Sequence, residues 1–135
     1  MALQYLAALR NAQLDAIEST IGTAPILRIY SGSMPANAAT ASSGTLLVEM
    51  TLPSDWMAAA SAGAKAKSGT WQDTSANATG TAGYFRIFDS GDTACYMQGT
   101  VTATGGGGDM TLDNTSIAAS QSVTVNTFAI TAGNA

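Results

Sequence analysis

Glycine and proline divide this chain into two unequal parts. Residues 1–21 contain neither, whereas all fourteen Gly and all three Pro lie from Gly22 onward. A stretch free of both breakers can propagate one helix, and the apolar spacing supports it. At about 100° per residue, Leu3, Leu6, Leu14, Ile17 and Ile21 fall within an arc of about 80°. Gln4, Asn11, Asp15 and Glu18 take the opposite side, and Leu9 lies off one edge of the stripe. Arg10 and Gln13 interrupt the stripe, which therefore reads as a segment needing a partner surface rather than a self-sufficient coiled coil. Gly22 is placed to cap this helix and Pro25 to prevent its resumption.

Beyond Gly22 the apolar period falls to two, the signature of strands. Ile26–Tyr30 reads as a short strand closed by Ser31-Gly32, and 34–44 as a loop. Leu46–Leu52 alternates, with Leu46, Val48, Met50 and Leu52 opposed to Leu47, Glu49 and Thr51. Pro53-Ser54-Asp55 followed by an alanine-rich run predicts a two-turn helix before Gly69. Trp71 falls on a short strand, with a loop over 73–83. Tyr84–Val101 reads as a hairpin turning at Asp89–Asp92, with Gly91 expected to take positive φ. Pairing Phe88 with Thr93 sets Phe85, Ile87, Ala94 and Tyr96 against Tyr84, Arg86, Phe88, Cys95 and Met97. Both faces are apolar, so the hairpin belongs mid-sheet or under a neighbouring subunit. Gly105–Gly108 reads as a flexible connector, followed by a short strand at Met110–Leu112 and a final strand over 122–131. The segments ILRIYSG at 26–32 and YFRIFDSG at 84–91 echo one another.

Composition removes whole classes of chemistry. Histidine is absent, and with it the commonest general base and metal ligand. The single Cys, Cys95, rules out an internal disulfide and a cysteine zinc site. Five cationic residues against nine acidic ones leave no basic patch for nucleic acid. No run is long enough to span a bilayer, and the N-terminus lacks a cationic region typical of a secretory signal. Only 10% of residues are charged, a composition suited to surfaces that neighbours cover.

Individual candidates fare no better as catalysts. The four-glycine run lacks the Lys-Ser/Thr pair and following helix of a phosphate loop. Asp109, Asp113 and Asn114 lack the alternating ligand pattern of a calcium loop. No carboxylate pair and no nucleophile–base pair is evident. The expectation is a protein that is not an enzyme, with no cofactor and no metal. Trp56 and Trp71, set in or beside loops, are the candidate ligand-loop residues.

The stretches TLLVEMTLPSDWMAAASAGAKAKSGTW, GTAGYFRIFDSGDTACYMQGTV and GGGGDMTLDNTSIAASQSVTVNTFAIT, with the MALQY start, resemble a family of small virion proteins of tailed bacteriophages and prophages. The resemblance implies a structural component of head, neck or tail, made in the host cytoplasm and resident in the virion. It transfers no catalytic residue. The expected fold is mainly β, a small antiparallel β-sandwich (jelly-roll-like or Ig-like) preceded by an N-terminal amphipathic helix. Residues 1–21 are expected to form a docking helix and 22–135 the sandwich. Docking is assigned to Leu3, Leu6, Leu14, Ile17 and Ile21, with a second contact face at Tyr84, Phe88 and Met97. The expected partners are other virion proteins (capsid, portal or neck, tail) and further copies of the chain, and not nucleic acid or membrane. The alternative is a host-surface or carbohydrate-binding module of a tail or capsid fibre.

Overall fold

The computed structural model describes residues 3–135. One helix, α1 (Ala7–Ile21), precedes ten strands: β1 (Ile26–Ser31), β2 (Leu46–Thr51), β3 (Ala64–Ala66), β4 (Trp71–Asp73), β5 (Gly80–Phe88), β6 (Cys95–Ala103), β7 (Met110–Leu112), β8 (Ser116–Ile117), β9 (Val123–Val125) and β10 (Ala129–Thr131). The main sheet runs β2-β1-β5-β6-β7, with β8 added to the start of β5. Two small sheets, β10-β3 and β4-β9, complete the structure. The protein is a small, mainly β sandwich with an N-terminal helix.

Alternation along the central strands builds the two faces. Leu27 and Ile29 on β1 lie beside Ile87 and Phe85 on β5, and beside Met50 and Val48 on β2. These six point into one core with Trp56, Trp71, Val125 and Phe128. Phe128 joins the layers, its ring 5.5 Å from both Trp71 and Phe85. The echoed segments are β1 and β5 themselves, paired antiparallel so that Arg28 faces Arg86 and Tyr30 faces Tyr84. Their likeness reflects two neighbouring central strands with the same inner and outer demands.

Several local expectations change. The alanine-rich run after Pro53 is not helical. Met57 bridges Lys67 and Ser61 bridges Ala64 in a tight hairpin. Its turn residues Ala62 and Gly63 both have positive φ (52° and 74°), the geometry of a primed hairpin turn. Burying Trp56 and Met57 in the core overrides the helix propensity of the alanines. The expected loop at 73–83 is shorter, because β5 begins at Gly80.

In the β5–β6 hairpin, Asp92 rather than Gly91 takes positive φ. A register shift near its end sets Phe88 opposite Cys95 and Ile87 opposite Met97. Met97 therefore lies on the core face, opposite to the face carrying Tyr84 and Phe88. The last strand breaks into β9 and β10 because Phe128 turns inward and Asn126 Nδ2 bonds Asp113 Oδ2 at 3.0 Å. Nor is the glycine run a loose connector. Gly105 and Gly107 have positive φ, while a Cβ on Gly106 or Gly108 would meet Thr102 at 2.8 Å. The chain folds back against β6 and then runs parallel to it as β7.

Candidate functional site

The helix is seated on its own domain by a face that is half apolar and half polar. Leu14 and Ile21 are buried, and Ile17 packs against the core at its margin. Along the adjoining strip, Lys65 Nζ donates to Asp15 Oδ1 at 2.7 Å and to Ala58 O at 2.8 Å, and lies 2.9 Å from Glu18 Oε1. Gly63 N–H donates to Asn11 Oδ1 at 2.8 Å and Ala60 N–H to Asp15 Oδ1 at 3.0 Å. Arg10 lies against Gly63, with its Nε buried and without a partner. At the helix end, Gly22 N–H bonds Glu18 O, and Trp56 Nε1 donates to Gly22 O at 2.9 Å.

The charges in this seat reinforce one another. The Lys65 hydrogen bond, with help from the Ala60 N–H, holds the Asp15 carboxyl below its ordinary range. Burial works against the Lys65 ammonium, but its hydrogen bonds to Asp15 and Glu18 outweigh that and its pKa is raised. The polar face that sequence periodicity assigns to the side away from the stripe is thus a second docking face. Asn11, Asp15 and Glu18 at helical spacing were its one visible signal; Lys65, between two alanines, carried none.

The five assigned docking residues therefore separate. Leu14, Ile17 and Ile21 hold the helix to its own sandwich. Leu3 and Leu6 precede the helix, which starts at Ala7, and are 60% and 78% exposed. Leu6 is the N-cap residue and makes no side-chain cap bond. With Leu9, half exposed, they make a strip of exposed leucines at the N-terminal end, in which exposed Gln4 and half-buried Tyr5, whose N–H bonds Asn134 O, separate Leu3 from Leu6.

The second assigned face is covered from within. The 34–44 loop lies over it: Tyr84 Oη bonds both the N–H and the C=O of Ser43, and its ring stacks on Tyr30 at 5.1 Å. Arg86, buried, donates to Gln98 Oε1, Asn37 O and Ser42 Oγ, and Gln98 Nε2 donates to Pro35 O at 2.9 Å. Phe88 is buried beneath the Arg28 guanidinium, 4.7 Å from its ring centre. Arg28 in turn binds Asp92 at 2.9 Å and Glu49 at 2.6 Å, contacts that raise its pKa despite partial burial. Tyr84 and Phe88 thus meet the chain's own loop, and Met97 meets the core from the other side.

A cavity of about 590 Å³ opens between the 38–42 loop and the 92–95 turn. Its ionic groups Arg86 and Asp92 are already engaged, and Cys95 has its thiol pushed up by burial while donating to Met97 O. Such a thiol is poorly nucleophilic. Trp56 and Trp71 are fully buried, with Trp71 Nε1 donating to Ser68 O at 3.1 Å. They are core anchors and present no stacking platform to a ligand. Among the described residues, no three Cys, Asp or Glu side chains converge as a metal-binding set, and no helix is long and apolar enough to cross a membrane. No family model, curated protein or solved structure matches this chain.

Proposed function

We propose that the chain is a non-enzymatic structural protein of a tailed-phage virion, docking on the capsid or the head–tail neck as a decoration or accessory component. The observation that carries this reading is the exposed strip of Leu3, Leu6 and Leu9. The helix has already satisfied its seat with Leu14, Ile21 and the Lys65 contacts, so these leucines serve nothing inside the monomer. Apolar groups left outside a completed core suit a contact with a neighbour. The phage-family resemblance and a surface poor in charge point the same way. Symmetric copies would convert individually modest contacts into durable attachment.

The test is composition and density of intact particles made from a genome carrying this gene. The reading expects the chain in purified particles, at a copy number matching the symmetry of head, neck or tail. Its absence from washed particles by mass spectrometry would overturn it. Binding of the isolated protein to host cells or glycans, without particle association, would support the host-surface alternative instead.

A further inference from the structure

Among the described residues, two of the strand edges that lack a strand partner flank one groove. β6 pairs with β7 only over Val101–Ala103, leaving its Cys95–Gly99 half without a strand on that side. Among the described residues β10 pairs only with β3. Lys67 N–H bonds Phe128 O and Ala132 N–H bonds Gly63 O, in the same register as the β10–β3 pairing. By antiparallel alternation, the backbone groups of Ala129 and Thr131 point away from β3. Between the two edges lies a groove of about 370 Å³ with an apolar floor of Leu14, Ile17, Phe85, Met97, Phe128 and Ile130. Its one ionic lining residue, Asp109, is engaged by Thr100 N–H and Oγ1. The groove thus fits an extended, uncharged, apolar segment that offers backbone hydrogen bonds.

The chain carries such a segment. Residues 3–6 are not helical, Leu6 having extended dihedrals, residues 3–9 carry no charge, and Leu3 and Leu6 are largely exposed. Leu6 sits about 12 Å along the helix axis from Leu14, which lines the groove. Tyr5 N–H is held by Asn134 O, and none of residues 3–6 lines the groove, so in this conformation filling the groove with that segment takes a second molecule. We propose that the N-terminal segment around Leu3–Leu6 of one copy adds as a strand in the β6–β10 groove of a second copy. The contact is head-to-tail, so it generates rings or open chains rather than a closed pair. This proposal rests on reading the leucine strip as an attachment, and it names the partner as the chain itself. A segment of about six residues spans about 20 Å, and its contact falls below the roughly 1,200–2,000 Å² of a stable interface. Association is accordingly weak in dilute solution and gains strength only when copies are arrayed.

Sedimentation equilibrium of the full chain from 10 μM to 1 mM tests this directly. The wild type is expected to be monomeric at the lower end and to grow in average mass above about 100 μM. Leu3→Asp/Leu6→Asp removes the strand, and Thr131→Pro removes an outward-facing edge donor without touching the β3 pairing. Ala129→Lys serves instead if the proline variant loses its near-ultraviolet circular dichroism. Each variant alone stays monomeric at 1 mM. Mixed, they form one-to-one dimers and stop there, because each contributes a single intact half. A wild type monomeric at 1 mM, a leucine variant that associates normally, or a mixture that stays monomeric overturns the proposal. Presence in particles without self-association refutes this inference alone, whereas self-association by a chain missing from particles refutes only the virion reading.

Discussion

The separation of the N-terminal leucines into a seated and an exposed group predicts opposite effects on stability. Leu14→Ala removes three carbons from a side chain that is 3% exposed. At about 0.8 kcal/mol per buried methylene the transfer loss is about 2.4 kcal/mol. A fully enclosed site adds a cavity penalty, but Leu14 lines an open groove that water can enter, so little is added. The expected cost is about 2–3 kcal/mol, or a fall in Tm of about 8 °C. Leu6→Asp works the other way. Leu6 holds the N-cap position with φ −60° and ψ 147°, and lacks a side-chain cap bond. An aspartate there can accept from the free N–H groups of the first turn and raise stability by about 0.5–1 kcal/mol. Urea unfolding followed by tryptophan fluorescence is the assay, since Trp56 Nε1 bonds Gly22 O at the helix end. A Leu14→Ala variant within about 0.5 kcal/mol of wild type, or a Leu6→Asp variant that loses stability, would refute the assignment.

Other outcomes follow from the same contacts. Gly108→Ala places a methyl 2.9 Å from the Thr102 backbone nitrogen and is expected to cost about 1–3 kcal/mol in urea unfolding, whereas Gly133→Ala, with open space, stays within about 0.5 kcal/mol. Arg86→Met removes the bonds that hold Asn37 O and Ser42 Oγ, so limited proteolysis should cut within 34–44 faster than in wild type while the β strands persist by circular dichroism. The Asp15–Lys65 pair sets a pH dependence whose sign is fixed. Because the folded state lowers the Asp15 pKa, its contribution is present at neutral pH and is lost as pH falls through that value. Because the folded state raises the Lys65 pKa, its contribution is lost only as pH rises through that raised value. The wild-type urea midpoint should therefore fall more steeply below about pH 4 than that of Asp15→Asn.

Periodicity was enough for the elements whose neighbours resemble their sequence pattern. The break at Gly22, the strands at 26–31 and 46–51, and the central hairpin were all legible, because each alternates or spirals with its burial. It failed where tertiary contact outweighs local preference. The alanines after Trp56 favour helix, yet two buried side chains, Trp56 and Met57, draw that segment into a hairpin. Gly105–Gly108 is indistinguishable from a linker by composition, although the packing against Thr102 gives its glycines specific duties. A one-residue register shift near Phe88 moved Met97 to the opposite face, and no sequence signal marks such a bulge. The doubly apolar hairpin reads as mid-sheet or under a neighbouring subunit; β5 and β6 do lie inside the main sheet, and the chain's own 34–44 loop covers the outer face at Tyr84 and Arg86. As for the attachment, a helical wheel treats Leu3 and Leu14 alike. Only the helix start at Ala7 distinguishes a leucine inside the seat from one outside it.

The claim that the N-terminal strip is the attachment can be tested most directly on particles. A phage genome encoding Leu3→Asp/Leu6→Asp in this chain should yield particles retaining at least about tenfold less of it than wild type, since burial of two largely exposed leucines is lost. The purified variant should remain folded, with unfolding at or above the wild-type urea midpoint. Equal occupancy of variant and wild type in washed particles, by quantitative mass spectrometry, would contradict the account.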